Sequence, residues 1–217
     1  RCKLDGKEFQ FYASGTAAQD INDFYGRPAD AGVLQLWFAR PEMNDRGLQR
    51  VTSIRTGDVQ QFTVEMDQGA AGTIIAHAIV SEPGNLGLIT KVRRYPFAAA
   101  IGQNELSNIT QGPSIMAAHF YKSDVTALYV EDGGQIVANA TKAALESSQR
   151  GYGRVPQTAV MTSLDFCMEG NHGDAMPTSG INARGVQANR PLRWLPTITA
   201  AANLDTYVEY LDFWAGI

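Results

Sequence analysis

Leu4-Asp5-Gly6 and Val130-Glu131-Asp132-Gly133 carry the same signal, a short strand end running into a tight turn, and their Asp-Gly pairs lie 127 residues apart. The stretches after the two pairs match as well. After the first, Ala17, Ile21, Phe24 and Tyr25 fall at i, i+4, i+7 and i+8, one face of a helix that Ser14 can cap and that Gly26 and Pro28 stop. After the second, Asn139 can cap, Ala140, Ala144 and Leu145 form an apolar side, and Tyr152-Gly153 closes the helix before Pro156. Tyr25-Gly26 and Tyr152-Gly153 are again 127 residues apart.

A strand is expected next in each copy. Leu34, Leu36 and Phe38 alternate with Gln35, Trp37 and Ala39. Val160, Thr162, Leu164, Phe166 and Met168 alternate with Met161, Ser163, Asp165 and Cys167, which puts Cys167 on an outward face. The last shared element leads from Ile54 to Phe62–Asp67 and from Ile198 to Thr206–Asp212, with Val64 and Val208 inward and Glu65 and Glu209 outward. The spacing grows from 128 to 144 there, a 16-residue insertion between Glu169 and Pro191. Gly170, Gly173, Pro177, Gly180 and Gly185 make it a long loop, 170–190.

The second copy also has an opening section, with strands over Ile89–Phe97, Ile115–Tyr121 and Ala127–Glu131 that the first copy has no room for. Symmetric repeats imply roughly 40 residues of first-copy strands ahead of Arg1; the other option is that those strands never existed. A further strand is expected over Thr73–Glu82, and a link over Pro83–Gly87. The fold class is mainly β: two tandem sandwiches of antiparallel sheets, each with a short helix. The first spans 1–84 and lacks its opening strands; the second spans 85–217 and holds the long loop.

Bulk properties agree. The chain has 217 residues, 44% of them hydrophobic, with 21 Gly and 9 Pro to punctuate many short strands. A net charge of −4, from 18 basic and 22 acidic residues, argues against broad nucleic-acid binding. Cys2 and Cys167 are read as buried thiols. No apolar run reaches the roughly 20 residues of a membrane-spanning helix, and no signal peptide is visible.

The chain lacks the marks of an enzyme. His77 and His119 sit in apolar strand contexts and read as half-buried structural residues. His172 lies near Glu169 and Asp174 in the long loop, yet no His-x-His pair accompanies it. No phosphate-binding glycine loop and no Gly-x-Ser-x-Gly elbow is present. Glu42 and Glu169 occupy matching places in the repeats and read as strand-end turn residues, far apart. No catalytic, metal-binding or cofactor-binding residue is assigned. Lys91, Arg93 and Arg94 form the one basic cluster, read as a solvated strand face or inter-subunit contact, with acidic lipid head groups the runner-up. Tyr207, Tyr210, Phe213 and Trp214 form an aromatic terminal strand, mostly core but able to dock a neighbour. Lys91, Arg93, Arg94, Tyr207 and Trp214 are therefore the interface candidates.

Five stretches resemble a known family in order and spacing. They are Leu4-Asp5-Gly6, Phe38-Ala39-Arg40-Pro41-Glu42-Met43, Asp67 followed by Ala70-Ala71-Gly72, Asp165-Phe166 with Glu169-Gly170, and Val208-Glu209-Tyr210 with Trp214. The chain resembles the double jelly-roll major capsid proteins of tailless, membrane-containing bacterial viruses, of the corticovirus-like type. The resemblance implies two jelly rolls and a homotrimer forming a pseudo-hexagonal tile of an icosahedral virion around an internal membrane. It implies as partners further copies, penton and minor capsid proteins and membrane lipids, no direct nucleic acid, no cofactor and no catalysis. The 170–190 loop is longer than the family pattern. The competing classes are a lectin-like or receptor-binding β-sandwich, a jelly-roll enzyme, and a minor or penton capsid protein.

Overall fold

A computed structural model describes residues 1–69, 72–80, 87–122, 124–181 and 185–214. The first part contains β1 (Cys2–Leu4), β2 (Lys7–Gln10), α1 (Gly15–Phe24), α2 (Arg46–Arg50) and β3 (Phe62–Val64). The second contains β4 (Leu88–Ala99), β5 (Gly102–Gln103), β6 (Ser114–Tyr121), β7 (Val125–Asp132), β8 (Gln135–Thr141), α3 (Lys142–Gly151) and β9 (Thr162–Asp165). It continues with β10 (Ser179–Ile181), β11 (Gln187–Asn189), β12 (Leu192–Ile198) and β13 (Ala202–Phe213). One sheet runs β3-β1-β2-β4-β13-β6-β9, a second β5-β12-β7-β8, and β10-β11 is a separate hairpin inside the long loop.

From β4 onward the chain winds as a jelly roll. β4, β13, β6 and β9 form one wall, β5, β12, β7 and β8 the other, and the chain crosses between the walls as it climbs. Alternating residues face inward from both walls: Phe120 and Ala118 from β6, Leu128 and Val130 from β7, Trp194 from β12, and Leu204, Val208 and Tyr210 from β13 are buried. Tyr95 and Tyr210 bring hydroxyls into this core and bond each other at 2.8 Å, which removes the cost of burying them unpaired.

The repeat is real in three dimensions, with corrections. Both hairpin turns use two consecutive positive-φ residues, Asp5-Gly6 (φ 47° and 78°) and Gly133-Gly134 (φ 56° and 89°). The structural equivalence is thus Leu4 with Asp132, one residue later than the Asp-Gly match. The α3 cap is Thr141, not Asn139, which stays in β8 opposite Tyr129. Tyr25-Gly26 and Tyr152-Gly153 end the two helices as expected, both glycines with φ near 70°.

β3 pairs with β1 as β12 pairs with β7, so Phe62–Val64 is the counterpart of β12 and not of Thr206–Asp212. Its faces differ accordingly: Val64 is 39% exposed and Glu65 bonds Lys3, whereas Val208 and Glu209 are both buried. The place of β13 falls in chain order to the stretch after β3. The expected strand over Thr73–Glu82 belongs to no sheet as far as it is described, to Val80, and His77, Ile75 and Ile79 are exposed there. Ala70, Ala71 and residues 81–86, which include all but Gly87 of the expected Pro83–Gly87 link, lie outside the described residues.

Leu34–Ala39 is not a strand, and the chain bends at Phe38 and Ala39. Side chains satisfy its backbone instead: Asn22 Nδ2 donates to the Gln35 carbonyl and Thr52 Oγ1 to the Phe38 carbonyl. The expected strand over Val160–Met168 shortens to β9, whose residues are buried on both faces, and Cys167 lies fully inside. Both cysteines are free and buried.

Candidate functional site

Much of the outer face of the β4-β13-β6-β9 wall is not solvated, because the first repeat covers it. Ser14 Oγ caps α1 by accepting from Ala17 N–H, which starts the helix at a fixed angle. Its apolar face, Ala17, Ile21, Phe24 and Tyr25, then packs on Val92, Met161 and Tyr207. Downstream, Met43 enters a second contact with Met116, Cys167 and Ala175.

A charge network is buried in this seam. Arg40, 2% exposed, sets Nη1 2.5 Å from Glu209 Oε2 and Nε 2.5 Å from Glu42 Oε1. Arg27 Nη2 pairs with the other Glu42 oxygen, and the Tyr25 hydroxyl donates to Glu209 Oε2 at 2.7 Å. Arg154 Nε donates to Asp165 Oδ2 at 2.8 Å and Nη2 to the Cys167 carbonyl at 3.0 Å. The guanidiniums of Arg40, Arg27 and Arg154 lie 4.5, 4.7 and 5.5 Å from the centre of the one Tyr25 ring. His119 packs edge-on against Phe24 and Tyr25 and bonds Ser163 Oγ through Nδ1.

The two repeats contribute matching parts. Asn22 reaches the Gln35 carbonyl as Gln149 reaches the Ser163 carbonyl, and Arg27 N–H bonds the Asn22 carbonyl as Arg154 N–H bonds that of Gln149. Arg27 and Arg154 stand two residues past the paired tyrosines, a regularity legible in the sequence but not used there.

Burial alone would raise the Glu209 carboxyl, but Arg40, with His119 and the Tyr25 hydroxyl, outweighs it and holds the group down at about 2. Burial raises Glu42 as well, and Arg40 and Arg27 bring it below its usual range. Burial pushes His119 down to about 4, so it is neutral near pH 7. Asp165 goes the other way: burial raises it despite Arg154. Closed off from solvent and charge-matched, these groups hold two surfaces in register; nothing here offers a reacting atom to a substrate.

The linkage has a definite sign. An unfolded His119 protonates near 6.5 and the folded one near 4, so stability falls as pH drops through that window, by about 3 kcal/mol at pH 4. Glu209 adds a loss below about 4.5, where the unfolded carboxylate takes up its proton first, while the raised Asp165 opposes it. Melting temperatures are expected to fall from pH 6.5 to 4, and His119→Asn is expected to flatten that upper part alone.

The interface candidates separate. Lys91 is 1% exposed and pairs with Asp212 at 2.6 Å, and Tyr207 is 1% exposed, its hydroxyl accepting from Ala13 N–H. Neither lies on a surface: the first repeat covers Tyr207, and Lys91 stands on the opposite, core-facing side of β4 across from Tyr210, which the alternation could not show. Arg94 pairs with Asp205 at 2.9 Å and Arg93 bonds Thr110, both partly exposed beside a groove formed with Glu8 and Phe11. Trp214 is half-buried against Cys2, Leu4, Phe9 and Ile89. Glu42 does stand in a turn, closed by Met43 N–H on the Arg40 carbonyl, but its carboxylate is a buried network member, while Glu169 is exposed and accepts from the Tyr152 hydroxyl. His172 is buried, its Nε2 on the Leu48 carbonyl, and among the described residues no group of three His, Cys, Asp or Glu could hold a metal.

Two family models account for most of the chain: the viral coat protein P2 N-terminal domain matches residues 1–81 and the viral coat protein P2 C-terminal domain residues 89–214. The chain belongs to the viral coat protein P2 family. It is a structural protein of the virion capsid, not an enzyme, and as a coat protein it associates with other copies of itself. Among solved structures this P2 coat protein is similar to the major capsid protein P2 from Bacteriophage PM2. Identity is 21%, the TM-score is 0.82, and the match covers 99% of this chain and 81% of that one. The search of curated proteins finds no match. No helix among the described residues of this coat protein is long and apolar enough to cross a membrane.

Proposed function

We propose that the chain is a major capsid protein acting as a homotrimer, with two jelly rolls per copy, 1–84 and 85–217, placing six around a pseudo-hexagonal tile. Such tiles build an icosahedral shell around an internal membrane, with penton and minor capsid proteins completing it and no contact with nucleic acid. The observation that carries this reading is the seam itself: the helix face of one repeat already docks on the sheet face of the next, a head-to-tail contact that a ring of repeats can continue. Arg93, Arg94 and Trp214, which keep exposed surface, are assigned to contacts with neighbouring copies; Lys91 and Tyr207 are not. Light scattering on purified protein tests this. A species of three times the chain mass is expected, and a monomer at every concentration overturns it.

A further inference from the structure

Within the chain, the face of α1 formed by Ala17, Ile21, Phe24 and Tyr25 is at most 5% exposed because the second repeat lies on it. At the 127-residue offset the same face of α3 is Ala144, Ser148, Gly151 and Tyr152, and all four are exposed, Tyr152 at 47%. α3 is otherwise held like α1. Gln149 and Glu146 are buried beneath it as Asn22 is beneath α1, and Arg154 and Gly153 repeat Arg27 and Gly26 at its end. One helix face is therefore covered and its duplicate is open.

We propose that the Ala144–Ser148–Gly151–Tyr152 face of α3 is an inter-subunit docking surface, and that its occupant is the first repeat of a second copy of this chain. The inference rests on the reading of the chain as a self-associating shell subunit and adds the surface by which it associates. The α1 contact is heterologous, helix face on sheet face, so each copy keeps one unused donor of the same kind. Small residues at 144, 148 and 151 leave the face flat, and Tyr152 supplies a large amphipathic side chain of the type enriched at interfaces. Val155, 50% exposed, extends the apolar area at its edge.

The test compares Ser148→Arg and Ala144→Arg with Ala143→Arg, in the full chain. Ala143 is the counterpart of Thr16, exposed in the first repeat, and so stands outside the docking face. All three sites are at the surface, and unchanged melting of the dissociated protein checks that each variant folds. Expected are a wild-type oligomer, an oligomer for Ala143→Arg, and a rise in dissociation constant of at least about tenfold for the other two. A Ser148→Cys variant gives a second readout: both native cysteines are buried, so maleimide should label position 148 readily after dilution to monomer and slowly in the oligomer. A wild-type oligomer unaffected by Ser148→Arg, with position 148 labelled equally fast in both states, overturns the proposed surface while leaving self-association standing. A wild type that never associates overturns both.

Discussion

Arg40→Ala is expected to cost about 3–5 kcal/mol, because it strands two carboxylates inside the protein. Glu209 loses the guanidinium that keeps its carboxyl near 2 and keeps the Tyr25 hydroxyl as a donor; Glu42 keeps Arg27. Urea denaturation followed by circular dichroism measures the loss. The double variant Arg40→Met with Glu209→Leu should recover much of it, since an apolar pair of similar volume avoids burying the charges at all. Arg193 is the comparison. It meets Glu105 through two bonds at 3.1 Å, but both side chains are nearly half exposed, and Arg193→Ala should change stability by less than about 1 kcal/mol. An Arg40→Ala loss no larger than that of Arg193→Ala would show that the seam is held by packing alone.

Trp194→Ala is expected to cost a similar amount, about 3–5 kcal/mol, for an unrelated reason. The indole is 2% exposed and lies between the two walls of the complete jelly roll, 6.4 Å from the Phe120 ring and 6.2 Å from the Phe166 ring. No neighbouring element can move in to fill the space, because β12 is fixed by seven partner positions on β7. Trp194→Phe should retain more than half of the lost stability in the same denaturation experiment. A Trp194→Ala loss below about 1.5 kcal/mol would mean that the two walls collapse on the cavity, against the close packing seen here.

The duplication was legible because turn and cap chemistry is local. Asp5-Gly6, Tyr25-Gly26 and Tyr152-Gly153 each need positive φ, and glycine marks them wherever the rest of the chain goes. The family resemblance drew on the Phe38–Met43 stretch, which contains Arg40 and Glu42, yet their role was not legible. Burial is decided by what lies on top of a strand, and the cover here comes from residues more than a hundred positions away. Alternation placed Glu209 outward, which is correct for a sheet wall taken alone, and the first repeat then closed over that wall. Tyr207 was misplaced for the same reason, whereas Lys91 is buried on the core-facing side of β4, opposite Tyr210 and paired with Asp212. The Leu34–Ala39 strand failed differently. Its pattern is that of a strand, but a strand needs a partner edge, and here Asn22 and Thr52 side chains take the carbonyls instead.

Arg40 and Glu209 meet across 169 positions of chain, and Tyr25 and Glu209 across 184. Their contact cannot form while the chain is being synthesised until every strand from β4 to β12, and β13 as far as Glu209, has left the ribosome. Until then the α1 face, Arg27, Arg40 and Glu42 have no seat, and the nascent first repeat is an apolar and charged surface awaiting its cover. Loop closure of that length slows folding. The expected order is that the later repeat shapes itself first and the earlier one settles onto it last. Refolding followed at Trp194 should therefore run ahead of refolding followed by burial of the α1 face.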